Sequence, residues 1–356
     1  MNNGLEGIVA AETRLSMVDG ERGELVIAGF RVEDLAATTT FEETVRLLWF
    51  EDRDLSTDLA VRRALAPETI DLLRAAARRK TNVMDALRMG VATITAENDR
   101  DAALHLVAKF PTIVAAYWRL LHDLEPIPPR ELLGHAANYL WMLTGEAPHE
   151  ELVHGLETYL NTVVDHGLNA STFTARVIAS TESDFVSAIT GAIGALKGPL
   201  HGGAPGPALD MVFEIGNASR AEEVLRQKIE SGERLMGFGH RVYKVRDPRA
   251  DVLAAAARQM FTRAGDMRLY ELATEVERTA IRLLEEYKPG RHLQTNVEFY
   301  TALLLHGLGL HVPLFTPTFA IARVAGWTAH CFEQRKAKKL IRPQSVYVGV
   351  LPHADR

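Results

Sequence analysis

Residues 185–203 read FVSAITGAIGALKGPLHGG, and this stretch decides the fold class. Its apolar residues recur three or four positions apart, which is the spacing of a helix with one buried face. Lys197-Gly198-Pro199 cannot continue that helix, so His201 is expected just beyond its C-terminal end. Gly191 and Gly194 remove side chains along the helix, which permits either a tight crossing within the chain or a dimer contact. The stripe itself comprises Phe185, Ala188, Ile189, Ala192, Ile193 and Leu196.

The same periodicity predicts a protein that is almost entirely α-helical. Asp247-Pro248 has the residue types of an N-cap followed by the first helical position. Asn296 can cap a helix that carries Glu298, and Thr316-Pro317 can open another. Strand signals are confined to the ends of the chain, at 24–28 and 345–350. We therefore expect an all-α fold with minor β structure at the termini.

Composition excludes several classes of protein. The chain has 356 residues, 24% of them charged, and a net charge of −6, which argues against wholesale nucleic-acid binding. No apolar run reaches 18 residues, and the first residues lack the pattern of a secretory signal. The lone Cys331 rules out a disulfide within one chain and fits a reducing compartment. We predict a soluble, cytoplasmic protein.

Three short segments, flanked by glycines or by a helix start, contain the candidate catalytic side chains. They are KGPLHGG with His201, GFGHRVYK with His240, and TNVEFY with Glu298. Two histidines and a carboxylate suffice to take a proton from a carbon acid and to polarise two carbonyl groups. Glu298 also has a purely structural interpretation, because a glutamate in the first turn favours the helix dipole. The set suggests carbon–carbon bond chemistry on a carbonyl substrate.

The arginines and one further histidine are candidate ligand-binding residues. Arg249 is predicted at a helix N-terminus, where backbone N–H groups also favour an anion. Arg323 interrupts an apolar helical run, and a buried arginine must find an anion, either a protein carboxylate or a ligand. His166 is expected at the end of a long helix, where an electrostatic role is the alternative to function. Arg342 is unremarkable on residue type alone. No metal-binding spacing is present, so no metal is expected.

Taken together, these blocks resemble citrate synthase. The similarity extends from GLEGIVAAET at 4–13 to IRPQSVYVG at 341–349. Between them, and in the family's order, stand DHGLNASTF (165–173), LKGPLHGGA (196–204), GFGHRVYK (237–244) with DPR (247–249), and ARVAGWTAH (322–330). Several long blocks in order are far more specific than any one of them.

The resemblance implies a homodimer of the family's short type, whose subunits each contain a large and a smaller, mobile helical domain. The large domain would comprise 1–208 and 313–356, and the small domain 209–312. Arg342 would complete the active site of the partner subunit. No permanently bound cofactor is implied, since the coenzyme A thioester is a substrate.

The resemblance also implies a condensation of an acyl-CoA with oxaloacetate in the tricarboxylic acid cycle. His201 would polarise the thioester, Glu298 would take the α-proton, and His240 would activate the ketone. His166, Arg249 and Arg323 would bind oxaloacetate.

The same resemblance implies that coenzyme A would lie along Gly237, Phe238, Gly239 and Lys244. Arg291 would contact its phosphates.

Some positions depart from the family pattern. Glu298 stands where the family usually has aspartate, and Val163 stands where many members carry a histidine. The first reading is an active synthase, with acetyl-CoA preferred and propionyl-CoA, giving 2-methylcitrate, as the alternative. The other alternative is a catalytically weak relative that binds coenzyme A or a dicarboxylate. Retention of His201, His240 and Arg249 favours the active enzyme.

Overall fold

The computed structural model describes residues 5, 7–202, 205–240 and 242–350. Gly203, the second glycine after His201, and Arg241 lie outside these residues. The described chain opens with a small antiparallel sheet and is otherwise helical, which confirms the predicted all-α class. The strands pair in the order β1 (Ser16–Asp19), β2 (Glu24–Ile27) and β3 (Phe30–Arg31).

The helices follow the sheet in chain order, with short 3-10 turns at Ala218–Arg220 and Val312–Leu314. In the first half of the chain they are α1 (Val32–Ala36), α2 (Phe41–Trp49), α3 (Ser56–Ala60), α4 (Pro67–Arg78), α5 (Val83–Val91), α6 (Asp99–Leu121), α7 (His135–Thr144) and α8 (Glu150–Val163). In the second half they are α9 (Ala170–Ala179), α10 (Phe185–Leu196), α11 (Pro205–Ile215), α12 (Ala221–Glu230), α13 (Pro248–Ala264), α14 (Arg268–Tyr287), α15 (Val297–Gly307) and α16 (Phe315–Ala337).

Helix α10 follows the predicted apolar stripe. Asp184 caps it by accepting the backbone N–H of Ser187 at 2.8 Å. The helix packs against α9, and a Cβ on Gly191 would come within 2.4 Å of the Ile178 side chain. Gly191 is therefore explained by a crossing within the chain. A Cβ on Gly194 would meet no atom of the described chain within 4 Å.

Helix α16 forms the centre of the core and fixes one wall of the site. It is buried along most of its length and packs against α2, α6, α8, α9 and α10. A Cβ on Gly326 would lie 2.4 Å from the carbonyl oxygen of Val164 and 2.9 Å from the Asp165 carboxylate. Only glycine permits this approach, which seats the turn between α8 and α9 directly on the core helix.

Helices α13 and α15 pack against each other, and α13 also packs against α8. The caps predicted at Asp247 and Asn296 are confirmed, whereas α16 begins at Phe315, one residue before the predicted opening at Thr316-Pro317. Asp247 accepts the backbone N–H of Arg249 at 3.1 Å at the start of α13, and Asn296 accepts that of Glu298 at 3.0 Å at the start of α15. Both caps place a site residue in the first turn of its helix. The domain boundaries predicted at 208/209 and 312/313 stay predictions.

The strand predicted at the C-terminal end is wrong, whereas the one near residue 24 corresponds to β2. Residues 345–350 form no strand, and no other segment of the described chain pairs with them. They are exposed, including the apolar Val346, Tyr347 and Val348. An extended segment with alternating apolar residues needs a neighbouring strand for its backbone hydrogen bonds, and the described subunit supplies none.

No single helix in the described residues is long and apolar enough to cross a membrane. By length and composition only, Val297–Gly307 and Val312–Ala337 reach that threshold together, with a bend of 118° between them.

Candidate active site

A cavity of about 820 Å³ brings together side chains that are far apart in the sequence. They come from the α8–α9 turn, the loop after α10, the segment before α13, and the helices α13, α15 and α16. The predicted site residues that line this cavity are His166, His201, His240, Arg249, Glu298 and Arg323. The fold therefore gathers one carboxylate, three imidazoles and two guanidinium groups around one space.

The local hydrogen bonds of His240 determine which ring nitrogen can serve a ligand. Nδ1 accepts the backbone N–H groups of Val242 and Tyr243, each at 3.0 Å. Burial, with the nearby Arg249 cation, lowers the pKa of His240 to about 4, so the ring is neutral near pH 7. A terminal nitrogen of Arg249 lies 3.4 Å from Nε2, a longer contact than the two bonds to Nδ1, so we assign the proton of the neutral ring to Nε2. This Nε2–H is a fixed donor for a ligand oxygen.

His201 has the opposite arrangement. Its Nε2 accepts the backbone N–H of Ser171 at 3.4 Å and lies 2.8 Å from the Ser171 hydroxyl. Burial, with the Arg323 cation, lowers its pKa to about 4. The neutral ring therefore carries its proton on Nδ1. The indole N–H of Trp327 donates to the Ser171 hydroxyl at 3.1 Å, which anchors this contact in the core.

His166 lies in the turn between α8 and α9. The prediction that it ends a helix is wrong, because α8 stops at Val163 and the left-handed Gly167 belongs to the turn. Its Nε2 is 3.1 Å from the Tyr243 hydroxyl. Burial and the cations Arg249 and Arg323 hold its pKa well below the usual value. It is therefore a neutral polar group, which removes the basis for a charge–dipole role.

Glu298 lies in the first turn of α15 and faces the cavity. Its Oε2 is buried and has no hydrogen-bond partner among the described residues. Burial raises the pKa of this carboxyl to about 7, although the nearby Arg249 opposes the shift. A carboxyl group with a pKa near 7 is matched to the task of a general base at neutral pH.

Arg249 is held rigidly at the start of α13. It is 4% exposed, and its Nε and one terminal nitrogen donate to the two oxygens of Asp247 at 3.0 and 2.8 Å. The same carboxylate accepts the backbone N–H of Val297 at 3.2 Å. Asp247 therefore orients the arginine and ties the start of α15 to the start of α13.

Arg323 is a buried cation that has no carboxylate within 4 Å among the described residues. It is 2% exposed, its Nε donates to the carbonyl oxygen of Val163 at 2.8 Å, and its guanidinium lies 4.5 Å from the centre of the Phe319 ring. Burial lowers its pKa to about 10, so it stays charged at neutral pH. A charge in this position needs an anion in the cavity.

A second cavity, of about 440 Å³, shares His240 with the first. Phe238, Gly239 and Arg291 line it, and Arg234 and Lys288 add two further cations. Glu233 also lines this cavity, so the cavity wall carries one acidic group and an excess of basic groups.

The loop formed by Gly237, Phe238 and Gly239 is fastened to the segment before α15. The carbonyl oxygen of Gly237 accepts the Asn296 N–H at 3.0 Å, and the N–H of Gly239 donates to the Gln294 carbonyl oxygen at 2.7 Å. Glycines at 237 and 239 have left-handed φ angles of 89° and 79°.

Three predicted residues, Gly237, Lys244 and Arg342, line neither of these cavities. The side chain of Lys244 is exposed and lines neither, although its backbone N–H donates to the Gly20 carbonyl oxygen at 2.9 Å. Arg342 is exposed and lines a different cavity, of about 750 Å³, between the N-terminal segment and the C-terminal tail. Within one subunit, the structure does not bring Arg342 to the site.

Sequence reasoning assigned no site role to Ser171, Tyr243 or Asp247. Each contacts a predicted residue directly, namely His201, His166 and Arg249. Ser171 and Tyr243 stand inside the quoted motifs, so their neighbourhood was visible, but their contacts depend on the tertiary fold. Asp247 was interpreted only as a helix cap.

Comparison with known proteins agrees with this geometry. The family described as "Citrate synthase, C-terminal domain" matches residues 4–344. A citrate synthase of Haloferax volcanii is 39% identical over 98% of this chain and 96% of its own length. A 2-methylcitrate synthase of Mycobacterium tuberculosis is 37% identical over 98% of this chain and 91% of its own length.

A solved structure from Thermoplasma acidophilum, a ternary complex of citrate synthase with carboxymethyl coenzyme A and oxaloacetate, has a similar fold. It has a TM-score of 0.88 and 30% sequence identity, over 100% of this chain and 99% of that one. With a family match over nearly the whole sequence and relatives at 37–39% identity, the chain belongs to the citrate synthase family.

Proposed function

We propose that the protein condenses acetyl-CoA with oxaloacetate to give citrate and free coenzyme A. The observation that carries the proposal is Arg323, a buried cation that faces the cavity with no carboxylate partner in the described chain. Arg249 and the Nε2–H of His240 face the same cavity. Two cations and a neutral donor suit a small dianion with a ketone oxygen, and oxaloacetate has these groups.

Enolisation is the first step of the proposed reaction. Glu298 removes a proton from the methyl group of the acetyl thioester, and negative charge develops on the thioester oxygen. The Nδ1–H of His201 donates a hydrogen bond to that oxygen. Because both groups are partly buried in the wall of the cavity, they stabilise the charge with little reorganisation of water. General-base catalysis of this kind contributes roughly 10²–10⁴-fold in rate.

Bond formation and release follow. The enolate carbon attacks the ketone carbon of oxaloacetate, and a C–C bond forms while the ketone oxygen gains a proton. His240 lies on the cavity with Nε2–H available to that oxygen. Water then adds to the thioester carbonyl, and the C–S bond breaks to release citrate and the coenzyme A thiol. We place the coenzyme along the 440 Å³ cavity, where Arg234, Lys288 and Arg291 suit its phosphates.

Binding of 2-oxo acids tests the assignment of the two arginines. We expect calorimetry to show oxaloacetate binding at least roughly tenfold tighter than pyruvate, because pyruvate has one carboxylate and can engage only one of the two arginines. Equal affinity for the two acids would contradict the dicarboxylate site.

The pH dependence of kcat/KM follows from Glu298. The base must be ionised, and its pKa is about 7, so kcat/KM should rise with pH through 7 and level off near pH 8. Below pH 6 it should fall about tenfold per pH unit. The histidines His201 and His240, with pKa values of about 4, stay neutral across this range. Initial rates from pH 5.5 to about 9 measure this profile; a rate that is flat down to pH 5.5 would exclude a base with this pKa.

The acyl donor has one alternative. A relative at 37% identity is named a 2-methylcitrate synthase, which favours propionyl-CoA as the second candidate. The two donors differ by one methylene, which a pocket distinguishes by about 1–3 kcal/mol. The weak-relative hypothesis has less support, because the cavity retains the complete set of base, imidazole donors and arginines.

We further propose that the protein is a homodimer in which Arg342 enters the partner subunit's site. Arg342 is exposed, and the apolar tail after it is 61–90% exposed at Val346, Tyr347 and Val348, which an isolated subunit would leave in water. The face around Gly194 is also open. Light scattering should give twice the 39.3 kDa subunit mass; a monomer or a hexamer would contradict the proposal.

Mixed dimers test the role of Arg342. Arg342→Leu and Glu298→Gln should each be nearly inactive alone. A refolded equimolar mixture should recover about a quarter of wild-type activity, because half of the dimers contain one site with both native residues. If no activity returns while mixed dimers form, Arg342 does not act across the interface.

The remaining predictions are a cytoplasmic location, a role in the tricarboxylic acid cycle, closure by a small domain at 209–312, and a reaction without a metal or permanently bound cofactor. We retain them as part of the proposal.

A further inference from the structure

Glu277 on α14 is a buried carboxylate that does not line the catalytic cavity. It is 8% exposed. Burial of an ionised carboxylate costs free energy unless its oxygens are satisfied. Its oxygens accept hydrogen bonds from three side chains, and those side chains belong to the two segments that carry the site residues.

One set of bonds holds the segment around Glu298. The hydroxyl of Thr295 donates to Oε1 at 2.5 Å, and the hydroxyl of Tyr300 donates to Oε2 at 2.5 Å. Burial and the Glu277 carboxylate raise the pKa of Tyr300, which therefore keeps its proton and remains the donor. Thr295 precedes Glu298 by three residues and Tyr300 follows it by two. Glu277 thus bonds the start of α15 on both sides of Glu298, through Thr295 before the helix and Tyr300 within it.

The other bond holds the segment around His240 and Arg249. A terminal nitrogen of Arg246 donates to Oε1 of Glu277 at 2.6 Å, and its Nε donates to Asp251 at 2.5 Å. Arg246 lies three residues before Arg249. The backbones of the two segments also meet directly, since the N–H of Asp247 donates to the Thr295 carbonyl oxygen at 3.3 Å.

We propose that Glu277 is a positioning residue that sets the base relative to the oxaloacetate-binding groups by joining Thr295 and Tyr300 to Arg246. The inference rests on the proposed condensation. A carboxylate is suited to this role because its two oxygens accept several strong, short bonds in fixed directions. Catalysis is sensitive to such placement, since a shift of about 1 Å can cost roughly a hundredfold in rate.

The two links can be broken separately. Tyr300→Phe removes only the bond beside Glu298, so kcat should fall about tenfold or more while the KM for oxaloacetate changes little. The kinetic isotope effect with trideuterated acetyl-CoA should rise, because proton abstraction becomes slower than the later steps. Arg246→Met breaks the other link, so it should raise the KM for oxaloacetate about tenfold and leave the isotope effect near the wild-type value.

Tyr117→Phe is the matched control. Tyr117 is also fully buried, its hydroxyl donates to the Thr81 carbonyl oxygen, and neither residue lines the two cavities of the site. This variant should lose thermal stability as Tyr300→Phe does, yet keep the wild-type kcat and isotope effect. If Tyr300→Phe fails to fold, Thr295→Val is used in its place, because it also removes a hydrogen bond to the Glu277 carboxylate.

The outcomes separate this inference from the proposed function. A wild-type protein that binds oxaloacetate but releases no coenzyme A would overturn the proposed function and, with it, the inference. An active wild type whose Tyr300→Phe and Thr295→Val variants behave like Tyr117→Phe would overturn the inference alone. A fall in kcat with a raised isotope effect supports it.

Discussion

Glu298→Gln is expected to lower kcat by roughly 10²–10⁴-fold while the affinity for oxaloacetate stays close to that of the wild type. The amide keeps the shape of the side chain but cannot accept the methyl proton. With a pKa of about 7, the native carboxyl is only partly ionised at pH 7, so the exchange for an amide removes less than a full negative charge from the cavity there. Steady-state kinetics and calorimetry on one preparation measure both quantities.

Glu298→Asp is the matched control for this experiment. It retains a carboxylate and shortens its reach by about 1.5 Å. The cost of that displacement should be about a hundredfold or less, and the pH profile of a titrating base should persist. Full turnover by Glu298→Gln would remove Glu298 from the mechanism. Equal loss in the Gln and Asp variants would mean that position, rather than basicity, is what the residue provides.

Arg323→Leu should weaken oxaloacetate binding by about 2–4 kcal/mol, which is roughly a thirty- to thousandfold rise in Kd. The native guanidinium is 2% exposed and has no carboxylate within 4 Å in the described chain, although the charge of the buried Asp165 acts on it, so we propose that the ligand supplies its direct partner. Replacing an unpaired buried charge by an apolar side chain should also leave Tm unchanged or raise it. Thermal unfolding with and without oxaloacetate measures both effects.

Arg226→Leu is the control for that variant. Arg226 pairs with Glu222 and Glu286 on the surface of α12 and lies away from the cavity. It should leave both Kd and the stabilisation by oxaloacetate unchanged. A change in coenzyme A affinity alone in Arg323→Leu, with oxaloacetate affinity retained, would refute the assignment of Arg323.

Local features of the fold were predictable from the sequence. Helix α10 has the predicted bounds because a stripe of apolar residues and the Lys197-Gly198-Pro199 stop both act over a few residues. The caps Asp247 and Asn296 are equally local, since each side chain bonds a backbone N–H two residues ahead. Arg323 was identifiable as a candidate site residue because a charge within an apolar helix has few explanations, and the structure shows that it is buried and lines the cavity.

Features that depend on tertiary contacts were not predictable in this way. Helix α8 ends where the chain meets Gly326 of α16, which lies 160 positions beyond His166. The protonation pattern of His201 depends on Ser171, and the bonds of Glu277 join three separate segments. No periodicity encodes these pairings. The family resemblance named the candidate site residues, but it did not supply the contacts that hold them.

The C-terminal segment shows a different limit. Its alternating apolar residues are typical of a strand, yet residues 345–350 find no partner within the described subunit. The pattern indicates a segment suited to pairing, and the location of the partner is a property of the assembly that we propose.

Release of coenzyme A thiol by the purified protein tests the central claim most directly. The assay supplies acetyl-CoA or propionyl-CoA with and without oxaloacetate, and follows the thiol with a chromogenic disulfide. The proposed condensation predicts release that requires oxaloacetate and is faster with acetyl-CoA. Release that does not require oxaloacetate, or no release with either donor from a folded protein that binds oxaloacetate, would contradict it.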